Sequence, residues 1–129
     1  RAFAAWWRDP WTPWFAAVYP RPDQPLSDEE ELVLRGYVPD MMLIDEVAEY
    51  PAHLHIDLLP AAQGRGWGSK LIGRLRSELA DAGVPGVHVE LDPENVAARG
   101  FYERIGFTEL PSSRPEAPVL GIPTRPGRR

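Results

Sequence analysis

The chain has 129 residues, of which 43% are hydrophobic and 10% aromatic, and its formal net charge is −5 at pH 7. This length and composition predict one domain with a real hydrophobic core and argue against intrinsic disorder. The acidic balance argues against nucleic acid or an anionic membrane as the main partner, because both are bound through positive charge.

The sequence contains no cysteine, and no apolar run in it approaches the roughly 18 residues that a membrane-spanning helix needs. Without cysteine there is neither a disulfide scaffold nor a thiolate metal site, and a reducing compartment is the natural setting. No signal peptide is visible either. We therefore expect a cytoplasmic protein without a membrane partner.

Aromatic residues are concentrated at the start of the chain and define an aromatic-rich segment, residues 1–50. Pro10 and Pro13 interrupt its beginning, which predicts two short helical pieces packed on an apolar surface. Aromatic side chains of this kind form either a core or subunit interface, or a surface that binds a peptide or sugar acceptor. The residues concerned are Trp6, Trp7, Trp11, Trp14, Phe15 and Tyr19.

A further helix is predicted within residues 1–50. Ser27 precedes a run of acids in the pattern of a capping box, so the helix should extend from Asp28 to about Tyr37. The short apolar run Met41–Ile44 fits no single element type.

A strand, a glycine loop and a helix follow one another in the second half of the chain. The strand is predicted over Leu54–Leu59 and the loop over Gln63–Gly68, and apolar residues then recur at helical spacing from Ser69 to Ala82. Alternating glycines let the backbone turn tightly and aim its N–H groups at one point, beside the positive end of the helix dipole. We interpret the loop as a cradle for an anion such as pyrophosphate.

The remaining elements alternate in type. We predict a strand over Val87–Leu91 and a helix that Asp92 caps and that continues to about Ile105. Two further strands are expected over Phe107–Leu110 and Val119–Ile122, and a disordered tail over residues 123–129.

Two motifs in this half have the order and spacing of a known family. A Q/R-x-x-G-x-G/A loop after a strand is matched by Gln63, Gly66 and Gly68. An N-x-x-A-x-x-F-Y-x-x-x-G-F helix is matched by Asn95, Ala98, Phe101, Tyr102, Gly106 and Phe107. On these motifs the chain resembles the GNAT acetyltransferase superfamily over roughly residues 54–110.

A narrower resemblance lies in Tyr50–Pro60 and Pro85–His88. These stretches are similar to the acetyltransferase-like domain at the C-terminus of O-GlcNAcases and to its stand-alone bacterial relatives. Such domains have a long aromatic-rich insertion before the fourth strand, which would account for residues 1–50.

The resemblance implies an α/β fold with a GNAT-type mixed central sheet flanked by helices. Residues 1–122 would form one partial domain, in which residues 51–122 are the acetyl-CoA-binding half. The family's first strands have no recognisable counterpart before residue 54, which would leave a sheet edge and an apolar face uncovered. A missing N-terminal segment or a second copy in a homodimer would then complete the sheet.

The resemblance also implies acetyl-CoA as co-substrate and an amine of unknown identity as acceptor. The backbones of Leu58 and Leu59 would pair with the pantetheine arm like an added strand, and Asn95 would hydrogen-bond its amide. The pyrophosphate would be held by the backbone N–H groups of Gln63, Gly64, Arg65, Gly66, Trp67, Gly68 and Ser69.

At the thiol end, the resemblance places Ala98 and Phe101 in the lining and makes Tyr102 the general acid that protonates the departing thiolate. Such proton transfer is typically worth about 10²- to 10⁴-fold in rate. The alternative for Tyr102 is a core aromatic at a helical position.

The general base is left open between two strands. His53, His55 and Asp57 alternate on one side of the first strand, and His88, Glu90 and Asp92 on one side of the next. If the strands are neighbours, as the resemblance implies, these two polar rows share a face. Asp57 and Glu90 are the leading candidates, with His55 and His88 as relays, although each fits an exposed strand position equally well. No metal is expected, because the spacing matches no ligand motif.

Two functions therefore remain. One is an N-acetyltransferase that transfers acetyl directly from acetyl-CoA to an amine. The other is a catalytically inactive pseudo-acetyltransferase that binds acetyl-CoA or a peptide.

Overall fold

The computed structural model describes residues 5–24, 27–38 and 43–125. Contacts divide the chain into two compact units, Arg1–Ile44 and Asp45–Arg129. The division lies near the predicted end of the aromatic-rich segment at residue 50. That both parts belong to one partial domain stays a prediction.

The first unit is helical. A π-helical turn, Trp7–Trp11, leads directly into helix α1, Thr12–Val18. The predicted interruption is wrong, because Pro10 lies inside the π-helical turn and Pro13 in the first turn of α1. A π-helical turn rearranges the backbone hydrogen bonds, and a first helical turn needs no N–H donor, so both sites tolerate proline.

Helix α2 spans Asp28–Arg35, and its predicted cap is confirmed. The Ser27 hydroxyl oxygen accepts a hydrogen bond from the backbone N–H of Glu30 at 3.3 Å. After α2 the chain passes against α1 at Gly36, where a Cβ atom would clash with the ring of Phe15. The two helices therefore pack through a position that has no room for a side chain.

The apolar run Met41–Ile44 is described only in part. Met41 and Met42 lie outside the described residues, and Leu43 and Ile44 belong to no helix or strand.

The second unit is a four-stranded mixed sheet with two helices. The strands lie in the order β1-β2-β4-β3, with β1 parallel to β2 and the other pairs antiparallel. The predicted α/β class is thereby confirmed, and no strand precedes β1 within the described residues. The elements are β1 (Ala52–His53), α3 (Trp67–Asp81), β2 (Gly86–Glu90), α4 (Val96–Arg104), β3 (Thr108–Glu109) and β4 (Val119–Pro123).

The core lies around the two central strands. Both faces of β2 and β4 are buried, as is typical of strands covered on two sides. Helix α3 contributes Ile72 to this core and α4 contributes Tyr102. His88 on β2 is also buried, at 4% exposure, and a hydrogen bond of 2.7 Å joins its Nδ1 to the carbonyl oxygen of Tyr50.

The first predicted strand is displaced. Strand β1 covers Ala52–His53, and its pairing with β2 ends where the N–H of Leu54 donates to the carbonyl of His88 at 2.9 Å. Residues 55–59 diverge from β2 and form no strand, although their alternating exposure persists. The sequence pattern reports which side chains are buried and not which backbone is paired.

Helix α4 begins later than predicted. Asp92 Oδ1 accepts from the N–H of Glu94 at 2.9 Å and closes a separate turn. The cap of α4 is Asn95, whose Oδ1 accepts from the N–H of Ala98 at 3.0 Å. Asp92 and Asn95 are both residue types that cap helices well. Asn95, which directly precedes the helical residues, is the cap of α4.

A glycine ends each of the two helices of this unit. Gly83 follows α3 with φ 74° and Gly106 follows α4 with φ 100°, in the left-handed region that glycine adopts without steric cost. Helix α3 itself starts at Trp67, two residues before the predicted Ser69.

The predicted start of the disordered tail is wrong for residues 123–125. Pro123 belongs to β4, and Thr124 is buried with its hydroxyl donating to the carbonyl of Val84 at 2.6 Å. The Arg125 guanidinium donates to the carbonyl of Ala80 at 3.0 Å. Residues 126–129 lie outside the described residues.

Among the helices described, none combines the length and the apolar character that crossing a membrane requires.

Candidate active site

A cavity of about 670 Å³ opens in the second unit. Its walls are three segments: the chain that diverges from β2 after β1, the glycine loop with the start of α3, and one face of α4. It brings together most of the predicted site residues, namely Asp57, Leu58, Gln63, Gly64, Gly66, Trp67, Gly68, Ser69, Ala98, Phe101 and Tyr102. The predicted residues outside its lining are Leu59, Arg65, Glu90 and Asn95.

The glycine loop has the geometry of an anion site. Gly64 and Gly66 have φ values of 69° and 75°, and no atom lies within 4 Å of a Cβ built at either position. No side chain caps α3, and the N–H groups of Trp67, Gly68 and Ser69 have no acceptor among the described residues. Unpaired donors at the positive end of a 15-residue helix favour a bound anion.

Gly68 brings α3 close to α4. A Cβ at this position would lie 2.9 Å from Cζ of Phe101 and 3.7 Å from Cδ1 of Leu58. The absence of a side chain therefore lets the helix start approach the other two walls of the cavity.

The segment that diverges from β2, residues 55–59, is hydrogen-bonded to the glycine loop. Gln63 Nε2 donates to the carbonyl oxygen of Leu58 at 2.9 Å. This carbonyl already has a partner, and the neighbouring Leu59 is 79% exposed outside the cavity. The Leu59 carbonyl is engaged as well, because it accepts from the N–H of Ala62 at 2.8 Å.

Tyr102 lies at the junction of core and cavity. Its side chain is only 5% exposed and packs against Phe107 with ring centroids 5.1 Å apart. Its hydroxyl forms no hydrogen bond with a described residue. Burial raises the pKa of Tyr102, and the negative charge of Asp57 raises it further, so the hydroxyl keeps its proton at neutral pH.

The two candidate bases are placed differently. Asp57 lines the cavity, and a hydrogen bond of 2.9 Å joins its Oδ2 to Nε2 of His55; the two side chains are 89% and 84% exposed. Glu90 is exposed at the end of β2 and does not line the cavity. Only Asp57 therefore shares the cavity with Tyr102.

The predicted meeting of two polar rows is confirmed at one pair. His53 and His88 are register partners on β1 and β2, and their rings stack with centroids 4.9 Å apart. Partial burial lowers the pKa of His53, and His88 and His55 lower it further, whereas Glu90 raises it. The net lowering favours a neutral His53 ring at pH 7.

We expect an NMR titration of the His53 ring to show a midpoint below the ordinary histidine value of about 6.5. Because the charge interaction with His88 lowers the pKa of His53, His88→Gln should raise this midpoint. Glu90→Gln removes an attraction and should lower it. Shifts of the same sign in the two variants would contradict this account.

Several lining residues were not among the predicted site residues. On α4 these are Ala97 and Arg104, and Ile105 follows as its C-terminal cap; all three lie on the same side as Phe101. Helical spacing from the motif residues could have indicated them. Ile56 of the diverging segment and Ala62 of the 3₁₀ turn Pro60–Ala62 complete the set.

No group of three or more histidine, aspartate or glutamate side chains in the described parts of the chain is placed to hold a metal ion.

Comparison with known proteins gives the family. Residues 27–109 match the model of the acetyltransferase (GNAT) domain, and the chain belongs to this family. It is similar to the crystal structure of SsHAT, with 43% identity and a TM-score of 0.81 over 97% of this chain and 62% of that one.

Two curated relatives are acetyltransferases by name. The ribosomal protein bS18-alanine N-acetyltransferase of Haemophilus influenzae is 35% identical over 75 residues, which are 58% of this chain and 48% of the relative. The mycothiol acetyltransferase of Beutenbergia cavernae is 45% identical over 51 residues, which are 40% of this chain and 17% of the relative. The chain thus matches about half or less of the length of these relatives.

Proposed function

We propose that the protein is an acetyl-CoA-dependent N-acetyltransferase that passes the acetyl group directly to an amine. The observation that carries this proposal is a single cavity that holds both an anion cradle and a protonated hydroxyl, that of Tyr102. Both are needed for a substrate with phosphates at one end and a thioester at the other.

The residues present suit the phosphate end of acetyl-CoA. Three unpaired N–H groups at the start of α3 face open space at Gly64 and Gly66, and a side chain at either glycine would enter that space. The pyrophosphate would lie there, as the family resemblance implies for residues 63–69. Arg65 lies outside the lining and would contribute only its backbone.

The arm of the substrate would lie along the segment that diverges from β2. Its backbone groups near Leu58 suit hydrogen bonds like those of an added strand. The Leu58 carbonyl is already bonded to Gln63 and the Leu59 carbonyl to the N–H of Ala62, so the pairing would use the N–H groups of Leu58 and Leu59 and the backbone of residues 56–57. Asn95 uses Oδ1 as the cap of α4 and has its Nδ2 group to offer to the pantetheine amide.

At the thioester end, the acetyl donor supplies an activated acyl group. Tyr102 would donate its proton to the leaving sulfur, since its raised pKa keeps it protonated. Asp57 would accept the proton that the attacking amine loses. Glu90 is the second candidate base, and it would have to act from outside the lining.

A catalytically inactive pseudo-acetyltransferase is the alternative. The observation that favours it is the placement of Asp57, whose carboxylate is largely exposed and engaged by His55. A cavity without an effective base would bind acetyl-CoA or a peptide without turnover.

The edge strand β1 is relevant to how the sheet would be completed. Strand β1 has two residues and lies at one edge of the sheet. This supports the proposal that further strands are added beside it, by an N-terminal segment or by a second copy in a homodimer.

The closer resemblance to O-GlcNAcase-associated domains and the cytoplasmic location also remain predictions.

Calorimetry with acetyl-CoA tests the proposed function and its alternative together. We expect saturable binding to the native chain. Gly66→Asp should weaken it about tenfold or more, because the new carboxylate would face the phosphates at short range. Asn has the same shape and also tolerates the left-handed region, so Gly66→Asn is the matched control and should lose much less.

No heat of binding at millimolar acetyl-CoA would overturn both functions. Equal losses in the two Gly66 variants would remove the pyrophosphate from the loop.

A further inference from the structure

Strand β1 is held to the sheet by a short ladder in which one residue of β2 takes part repeatedly. The strand has only two residues, and the second, His53, is the register partner of His88. The N–H of Leu54 donates to the carbonyl of His88 at 2.9 Å, and the carbonyl of Tyr50 lies 2.7 Å from Nδ1 of His88. His88 therefore contacts the chain before, within and after β1.

The side chains of His53 and His88 meet on one face of the sheet. Their rings stack with centroids 4.9 Å apart and an angle of 26° between their planes. His88 is buried and His53 is exposed, so His53 is the ring that exchanges protons freely with water. A charge on His53 then lies directly opposite a second imidazole, and like charges in this arrangement destabilise a strand pair.

The other titratable groups around the pair act in both directions. Glu90 on β2 attracts a charge on His53, and His55 on the diverging segment repels it. Glu46, in the turn before β1, interacts electrostatically with His88. Loss of hydration acts most strongly on His53, and together with the two other histidines it outweighs Glu90, so the pKa of His53 lies below its ordinary value. The paired strand therefore favours the neutral ring.

Strand β1 also positions one wall of the cavity. Leu54 is buried in the core, and residues 55–59 leave β2 directly after it. Asp57 and Leu58 of this segment line the cavity. Because residues 55–59 form no strand, their position depends on β1 before them and on the hydrogen bond from Gln63 to Leu58.

We infer that the stacked histidine pair is a pH switch for this wall: protonation of His53 weakens the pairing of β1 with β2, loosens residues 55–59 and lowers the affinity of the cavity for acetyl-CoA. The effect on acetyl-CoA rests on the proposed function, whereas the effect on β1 does not.

The sign follows from proton linkage. A ring that binds its proton more weakly in the paired strand than in the open strand shifts the equilibrium toward the open strand as the pH falls. The pairing is therefore fully stabilised above the ordinary histidine pKa of about 6.5 and loses stability as the pH falls below that value.

Hydrogen exchange of the Leu54 amide in the full chain, without acetyl-CoA, tests the pairing. Between pH 7.5 and 5.5, its protection should fall about threefold or more once the intrinsic exchange rate has been corrected for. Leu54 is the informative amide because its N–H donates to β2 directly after the histidine pair.

Two variants remove the switch in different ways. His53→Phe keeps a ring over His88 that cannot be charged, and His53→Gln removes both the ring and the charge. The fall in Leu54 protection should disappear in both. His55→Gln is the matched control, because it removes the neighbouring histidine, which is bonded to Asp57. This control should retain most of the fall, since loss of hydration and not His55 is the main effect on His53.

Calorimetry with acetyl-CoA at the same two pH values tests the effect on the cavity. The phosphates of acetyl-CoA titrate equally in every variant, so the native chain is compared with His53→Phe. On acidification the native chain should lose about threefold more affinity than His53→Phe, or a larger factor.

The outcomes distinguish the switch from the proposed function. Leu54 protection that does not depend on pH, or that falls equally in the native chain and His53→Phe, overturns the inference. Equal losses of acetyl-CoA affinity in these two proteins overturn the connection between β1 and the cavity. Absence of acetyl-CoA binding at both pH values overturns the proposed function and leaves the result at Leu54 standing.

Discussion

Replacing Tyr102 with phenylalanine is expected to lower kcat for acetyl transfer by about 100-fold or more, the usual contribution of a positioned proton donor. Acetyl-CoA affinity should change little, since the ring stays in its place against Phe107 and only the hydroxyl is lost. The native chain should keep its activity as the pH rises from 7 to about 10, because burial and Asp57 raise the pKa of Tyr102.

The measurement is release of free thiol from acetyl-CoA with a panel of primary amines. The panel should contain a peptide with a free N-terminus, a lysine-containing peptide and an amino sugar. Tyr50→Phe is the matched control, because it removes a hydroxyl from a residue outside the cavity lining.

The outcomes separate the two functions. Turnover by the native chain that Tyr102→Phe leaves unchanged would remove Tyr102 as the acid. Acetyl-CoA binding without turnover on any amine would favour the binding module. Asp57→Asn and Glu90→Gln then test the base, and we expect the larger loss from Asp57, which shares the cavity with Tyr102.

Gly68→Val is expected to lower the free energy of unfolding by about 1–3 kcal/mol, the usual cost of overpacking. Its side chain would enter the space between Phe101 and Leu58, where even a Cβ atom is too close to the aromatic ring. Acetyl-CoA binding should weaken about tenfold or more, because displacing the start of α3 moves the N–H donors, each worth about 1–3 kcal/mol with a charged partner.

Gly73→Val is the control for this variant. Gly73 lies in the same helix, and no atom lies within 4 Å of its Cβ position. Valine and glycine differ little in helix propensity, so the stability should change by less than about 0.5 kcal/mol. Thermal unfolding and calorimetry check both variants, and native affinity in Gly68→Val would contradict the proposed closeness of the two helices at the site.

Much of the fold could be predicted because the signals are local. Ser27 caps α2 through its own neighbour, and Gly83 and Gly106 end their helices through their own backbone conformation. The spacing between Gln63 and Tyr102 indicated that a loop and a helix face share one site, and both line one cavity.

The wrong predictions of element boundaries have a different cause, which is not local. Strand β1 ends at His53 because the residues after Leu54 diverge from β2, although β2 itself continues to Glu90. The helix after β2 is capped by Asn95 although Asp92 is an equally good cap in isolation. Both outcomes depend on contacts between segments that are distant in sequence or in competition with one another. Propensity cannot rank such competing choices.

The sequence by itself determined the family resemblance, the anion cradle and the candidate acid Tyr102, because motif spacing and glycine conformation are properties of short stretches. Only the tertiary structure decided that Asp57 and not Glu90 shares the cavity with Tyr102, and that Arg104 also lines it. These facts depend on where β1 leaves β2 and on how closely α3 and α4 pack at Gly68. Both features are distances between segments, and the packing of the whole unit determines these distances.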